Sequence, residues 1–164
     1  MVHVFKQTQF LPVDIKTAWN FFSTPENLND ITPPELRFQI LTKLPPKAYT
    51  GLMIAYKVQV FKGVVVDWLT EITHVDEHHF FVDEQRKGPY RIWHHEHHFV
   101  EVAGGVEMTD IVHYMLPFGW FGNLFHGLIV KPKLDKIFSY RVDAVNALFG
   151  KGKQKVRQTA QVVD

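Results

Sequence analysis

The densest chemistry in this chain sits in one strand-like run, His94-His95-Glu96-His97-His98. Imidazole and carboxylate groups carry protons near neutral pH and also ligate metals. Side chains alternate across a strand, so His95 and His97 share one face while His94, Glu96 and His98 take the other. Only His95 and His97 can converge, with Asp110 or Asp83 as a third group if neighbouring strands bring one alongside. The helix-borne His-Glu-x-x-His arrangement of zinc enzymes has a different spacing and needs a helix. Because a metal needs convergent ligands, we expect no metal and no cofactor here. As proton-transfer groups, His95, His97 and Asp110 are the catalytic candidates, since a carboxylate within reach favours charged imidazole. The plainer alternative is a buried network in which Asp83, Gln85, His95, His97 and Asp110 satisfy one another. We expect a structural or ligand-orienting role ahead of catalysis.

The elements that must position these groups can be read from turns and periodicity. A two-residue turn at Gly104-Gly105 pairs Phe99 with Asp110, His97 with Val112 and His95 with Tyr114. A similar turn at Glu77-His78 pairs Asp76 with His79, Thr70 with Gln85 and Ile72 with Asp83. One face then collects Trp68, Thr70, Ile72, Phe81, Asp83, Gln85, Trp93, His95, His97, Phe99, Asp110, Val112 and Tyr114. The other collects Asp67, Glu71, Glu84, Arg86, His94, Glu96, His98 and His113, and is plainly wetter. An aromatic face with a few convergent polar groups describes a ligand pocket. After Pro117-Phe118-Gly119 the apolar period changes from two to about 3.6 residues, predicting a helix over 120–149 that Pro132 kinks or restarts. Phe125, Leu128 and Phe138 would line the pocket from that helix. Arg141 lies on its apolar stripe and could meet an inward acid, anchor an anionic ligand head, or cover apolar surface with its stem. The Pro117–Phe121 segment reads equally as a gate at the pocket mouth or a sheet-to-helix joint.

Upstream, Val2 to Leu11 reads as a strand. Asp14 caps a short helix carrying Ile15, Ala18, Trp19 and Phe22, and Thr24-Pro25 starts a second. Strands follow at 36–41, 52–60, 64–75, 80–86, 90–102 and 106–116. Short loops between consecutive strands make an antiparallel meander. The expectation is an α+β fold: a seven-stranded curved antiparallel sheet around a long C-terminal helix, with two short helices after the first strand. Residues 1–150 form a single domain, and the basic segment 151–164 reads as a frayed tail.

Composition narrows the partners. The chain has 164 residues, 46% of them hydrophobic, with 14 Phe, enough to build one core. Eighteen basic against seventeen acidic residues, net +1, leave no electrostatic footprint for nucleic acid. The absence of cysteine excludes disulfides and thiolate chemistry. No signal-peptide layout and no membrane-length apolar run are present, so we expect a cytoplasmic protein.

The order of elements resembles the helix-grip arrangement of the START-related SRPBCC superfamily of lipid-transfer proteins, aromatase/cyclases and plant ligand carriers. The resemblance spans nearly the whole chain. More narrowly, it is to a small bacterial branch also found fused to sugar-nucleotide-epimerase-like proteins described as cell-division inhibitors. It is carried by Phe21-Phe22-Ser23-Thr24-Pro25-Glu26-Asn27-Leu28, Ile31-Thr32-Pro33-Pro34, Phe81-Val82-Asp83-Glu84-Gln85, Gly88-Pro89-Tyr90, Trp93-His94-His95-Glu96-His97 and Leu116-Pro117-Phe118-Gly119. It implies an apolar cavity between sheet and helix, but transfers no reaction, because chemistry varies between members. The expected function is binding or carriage of a small hydrophobic molecule. Two alternatives stand beside it. One is a polyketide cyclase or dehydratase using His95, His97 and Asp110. The other is an interaction domain for an epimerase-like partner. No glycine-rich dinucleotide loop is present.

Overall fold

Alternation along the first strand decides where the sheet faces. In β1 (Val2–Leu11), His3, Phe5, Gln7, Gln9 and Leu11 are all buried, while the residues between them are not. A computed structural model of the chain describes residues 1–117, 126–150 and 157–163. In it, β1 belongs to an all-antiparallel sheet with β2 (Gln39–Ile40), β3 (Met53–Phe61), β4 (Val64–Asp76), β5 (Phe80–Lys87), β6 (Ile92–Val102), β7 (Gly105–Met115) and β8 (Arg157–Val163). The order across the sheet is β2-β3-β4-β5-β6-β7-β1-β8.

Helix α1 (Ile15–Phe22) starts where expected: the Asp14 carboxylate accepts from the Thr17 N–H at 3.0 Å. The second short helix is a 3₁₀ turn, Pro25–Asn29. Thr24 does not cap it; its hydroxyl donates back to the Asn20 carbonyl at 2.6 Å. The long helix α2 (Lys131–Phe149) follows a π-helical turn over His126–Val130. Pro132 falls in its first turn, where a missing N–H costs nothing, so the proline restarts the helix. The sheet holds this helix by side chains as well as by packing. The Gln7 side-chain amide donates to the Phe138 carbonyl, and that of Gln9 to the Val142 carbonyl, each at 3.2 Å. Carbonyls four residues apart lie on one side of the helix, as the two glutamines lie on one side of the strand.

Four expectations need correction. The strand expected over 36–41 shrinks to Gln39–Ile40, because Leu36 ends a 3₁₀ turn and Arg37 adopts a left-handed φ of 43°. To the seven expected strands the sheet adds an eighth from the segment expected to fray: Arg157–Val163 pairs with Val2–Thr8. The open edge of β1 carries backbone donors and acceptors that a further strand satisfies, so this part of the tail is ordered into the sheet. The β4–β5 turn takes three residues, with His78 at φ 69°, so Asp76 meets Phe80 rather than His79. A bulge at Thr73 absorbs the extra residue and restores the expected Thr70–Gln85 and Ile72–Asp83 pairs. Finally, the β6–β7 turn is centred on Ala103-Gly104, with Gly104 at φ 84°, and Gly105 already pairs with Val102. Gly105 serves another purpose: a side chain there would collide with the Leu11 carbonyl of β1. The register is displaced by two residues, which leaves every side chain on its expected face. The same displacement sets Asp110 directly opposite His97, and Val112 opposite His95.

Candidate functional site

Between the concave sheet and α2 lies a cavity of about 380 Å³, within the usual range for small-molecule sites. Its sheet wall carries Ile54, Tyr56, Val58, Trp68, Thr70 and Ile72, and its helix wall Leu134, Ile137 and Phe138. Phe22 and Leu28 close it from the short helices, and Ile31 from the turn that follows them. Nearly all of this is apolar, and aromatic rings pack edge-on, as Trp68 does against Trp93 with centroids 5.5 Å apart. Among the described residues, the Trp68 Nε1–H is buried without a hydrogen-bond partner.

One end of the cavity is charged. Asp83, His95, His97 and Arg141 border it, and Asp110 stands behind them. His95 Nε2 donates to Asp110 Oδ1 at 3.0 Å, and His97 Nε2 donates to Asp83 Oδ2 at 2.9 Å. The remaining ring nitrogens also face carboxylates: His95 Nδ1 is 3.3 Å from Asp83 Oδ2, and His97 Nδ1 is 2.9 Å from Asp110 Oδ1. The two rings lie 3.8 Å apart. Arg141 reaches down from α2, with Nη2 3.5 Å from Asp110 Oδ1 and 3.4 Å from His97 Nδ1.

Burial and pairing oppose each other throughout this cluster. Burial alone would raise both carboxyls, but the charge of His95 on Asp83, and that of Arg141 on Asp110, outweigh it together with the imidazole hydrogen bonds. Both acids are held ionised, below the ordinary carboxylate range. Burial would lower His95, yet Asp83 and Asp110 raise it above the ordinary imidazole value. For His97, burial and the neighbouring charge of His95 prevail and lower it. The arrangement sets an imidazole of raised basicity beside one of lowered basicity at the end of an apolar chamber, which suits it to orient a polar group or move a proton.

Of the residues read from sequence as ligand-binding, Trp68, Phe81, Asp83, Trp93, His95, His97, Phe138 and Arg141 border the cavity. Five others lie elsewhere. The Gln85 amide is used locally, donating to the Tyr90 carbonyl at 2.6 Å across the Gly88-Pro89 turn. Phe99 packs into the core against Trp19 and Phe22. Asp110 is screened from the cavity by the histidines it binds, and Tyr114 turns its hydroxyl to His126 Nε2 at 2.6 Å. Leu128 is 79% exposed, because the π-helical turn rotates it off the helix's inward stripe. Phe125 and most of the suggested gate lie outside the described residues. On β6, Trp93 is partly buried and His95, His97 and Phe99 are buried as expected. His94, Glu96 and His98 are partly rather than fully exposed, since they bond one another and Glu84. Sequence reading missed Tyr56, which shares a 2.7 Å hydrogen bond at the cavity wall with Thr70 of the expected inward face. The alternation of Ile54, Tyr56 and Val58 signals a buried face, but only pairing with β4 shows which one.

No family model and no curated protein sequence matches this chain. Solved structures do. The ZhuI aromatase/cyclase from Streptomyces sp. R1128 superposes with a TM-score of 0.69 at 12% identity, covering 90% of this chain and 93% of that one. Protein Ms6760 from Mycobacterium smegmatis gives 0.64 at 17% identity over 88% and 89%. A nucleoside-diphosphate sugar epimerase from Corynebacterium glutamicum gives 0.60 at 19% identity over 85% of this chain but only 28% of that one. At these identities the likeness is one of fold. No helix among the described residues is long and apolar enough to cross a membrane.

Proposed function

From a chain that has the helix-grip fold of the START-related SRPBCC superfamily, we propose a protein that binds a small, mainly apolar molecule and orients its polar end at Asp83, His95, His97 and Arg141. The observation carrying this reading is the cavity itself: largely apolar walls, with Asp83, His95, His97 and Arg141 gathered at one end and Lys133 as the other charged lining residue. The unpartnered Trp68 Nε1–H supports a ligand that brings a hydrogen-bond acceptor. Because Asp83 is ionised, a neutral hydroxyl fits better than a carboxylate: it can donate to Asp83 while accepting from an imidazole or Arg141.

The test is displacement of a neutral fluorescent probe such as 1-aminoanthracene. In the wild type, 2-naphthol should compete roughly tenfold better than naphthalene, the worth of one hydrogen bond to a charged group. Leu134→Trp should fill the cavity and abolish both. His95→Phe should keep naphthalene binding and erase the preference for naphthol. Equal affinities for the two compounds in the wild type would remove the polar end from the site. A second reading, acid–base catalysis of cyclase or dehydratase type, is favoured by the buried Asp110 that orients His95 toward the cavity. Conversion of a bound polyketide-like substrate, lost in His95→Phe, would decide for it. Service to an epimerase-like partner, suggested by the Corynebacterium likeness, is tested by co-purification.

A further inference from the structure

Asp83, His95 and His97 form a group whose geometry asks for something between them. Each imidazole has two nitrogens, and all four face a carboxylate oxygen within 3.3 Å. A neutral imidazole has one N–H, so hydrogen bonds alone leave a ring lone pair set against a carboxylate.

We propose that Asp83 Oδ2, His95 Nδ1 and His97 Nε2 bind one divalent first-row transition ion at the charged end of the cavity. Asp83 Oδ2 is 3.3 Å from the first nitrogen and 2.9 Å from the second, and the three ligand atoms lie within 4.8 Å of one another. Metal–ligand bonds of about 2.0–2.2 Å require ligand separations only slightly larger, reached by small side-chain rotations. The other nitrogens, His95 Nε2 and His97 Nδ1, would then donate to Asp110 at 3.0 and 2.9 Å. That is the outer carboxylate a metal-bound histidine ordinarily has, shared here by two, with Arg141 neutralising it from behind. Each imidazole then presents one nitrogen to the ion and the other to Asp110. Two imidazoles and one carboxylate suit zinc, iron, cobalt or nickel. All three ligands border the cavity, so the ion's remaining positions face the space a small molecule would occupy. The assignment stands apart from the identity of any apolar ligand.

The experiment uses the full chain, stripped with chelator and titrated calorimetrically with Zn2+, then with Co2+ followed by visible absorption. One ion per chain is expected, with Co2+ bands typical of low coordination number. Asp83→Asn should weaken Zn2+ at least tenfold and Asp110→Asn 10–100-fold, in variants that keep the wild-type circular dichroism. The outer-face histidines are the rival ligands, so His94→Asn/His98→Asn should bind as the wild type does. As a readout that needs no variant, 15N spectra of the wild-type imidazoles follow the titration: Zn2+ should shift His95 Nδ1 and His97 Nε2. Absence of stoichiometric binding, binding lost only in the His94/His98 variant, or unshifted His95 and His97 resonances would each overturn the assignment.

Discussion

Asp110→Asn in metal-stripped protein isolates the energetics of the buried cluster. The substitution preserves shape and one acceptor oxygen but removes the charge facing two imidazoles and Arg141. The Arg141 side chain is only 10% exposed and the Asp110 side chain 7%, so the guanidinium is left with little solvent. Removing one partner of a buried ion pair costs about 3–5 kcal/mol. Because Asn can still accept from His95, and Arg141 is a 3.5 Å contact, the lower end, ~3 kcal/mol, is expected. For a domain of this size that corresponds to a fall in Tm of about 6–12 °C. It is a large share of the roughly 5–15 kcal/mol that holds such domains folded, yet leaves the variant native. Arg141→Met in the same background removes the stranded cation and should recover most of the loss, with a coupling of about 1–3 kcal/mol. Urea denaturation of the wild type, both single variants and the double variant measures it. If Asp110→Asn stays within 0.5 kcal/mol of wild type, or if its effect and that of Arg141→Met simply add, the two residues are not an energetic unit and the charge-balance argument fails.

Two further outcomes follow from the fold. Gly105→Ala should destabilise by about 1–3 kcal/mol, because the new methyl meets the rigid Leu11 carbonyl. Gly88→Ala should also destabilise, because its methyl displaces the Gln85 side chain from its hydrogen bonds to Tyr90, each worth about 1 kcal/mol; a Gly105→Ala variant with the wild-type denaturant midpoint would contradict the assigned approach of β1 to the β6–β7 turn. Tyr114 donates to His126 Nε2, and burial, together with the charges of His3 and Lys131, lowers the His126 imidazole below its ordinary value. A base with a lowered folded pKa leaves stability intact above about pH 6.5 and erodes it as pH falls, since the unfolded chain takes up the proton first. His126→Phe should flatten the pH dependence of unfolding free energy between pH 6.5 and 5; an unchanged slope would show that His126 does not carry it.

The fold was legible because its signals are local: period-two alternation, the Asp14 cap, and the change of period after Pro117. The inward face of the site was legible for a sturdier reason. The β6–β7 register is displaced by an even number of residues and the β4–β5 slip is cancelled by a bulge, so neither displacement exchanged the two faces. The pairing of Asp110 with His97 was not legible, because Gly104-Gly105 looks like a turn dipeptide when one glycine turns the chain and the other admits a neighbouring backbone. The contribution of β3 was hidden because alternation identifies a buried face without saying what it borders. Strand β8 was masked by its basic approach, Lys151 to Arg157, which reads as solvated chain while the demand for pairing comes from the edge of β1. The apolar stripe left Arg141 three uses, an inward acid, an anionic ligand head or cover for apolar surface, and its approach to Asp110 needed coordinates.

The central claim is that a small molecule enters between Trp68, Trp93 and the charged cluster. The indole region of a 15N–1H spectrum tests it most directly, because the three tryptophans among the described residues divide cleanly: Trp68 and Trp93 border the cavity, and Trp19 is buried in the core at 2% exposure. Titration with 2-naphthol should shift the Nε1–H resonances of Trp68 and Trp93 saturably, Trp68 furthest downfield as it gains a hydrogen-bond acceptor, and leave Trp19 in place. Saturable binding that leaves Trp68 and Trp93 unmoved would put the ligand elsewhere and contradict the account.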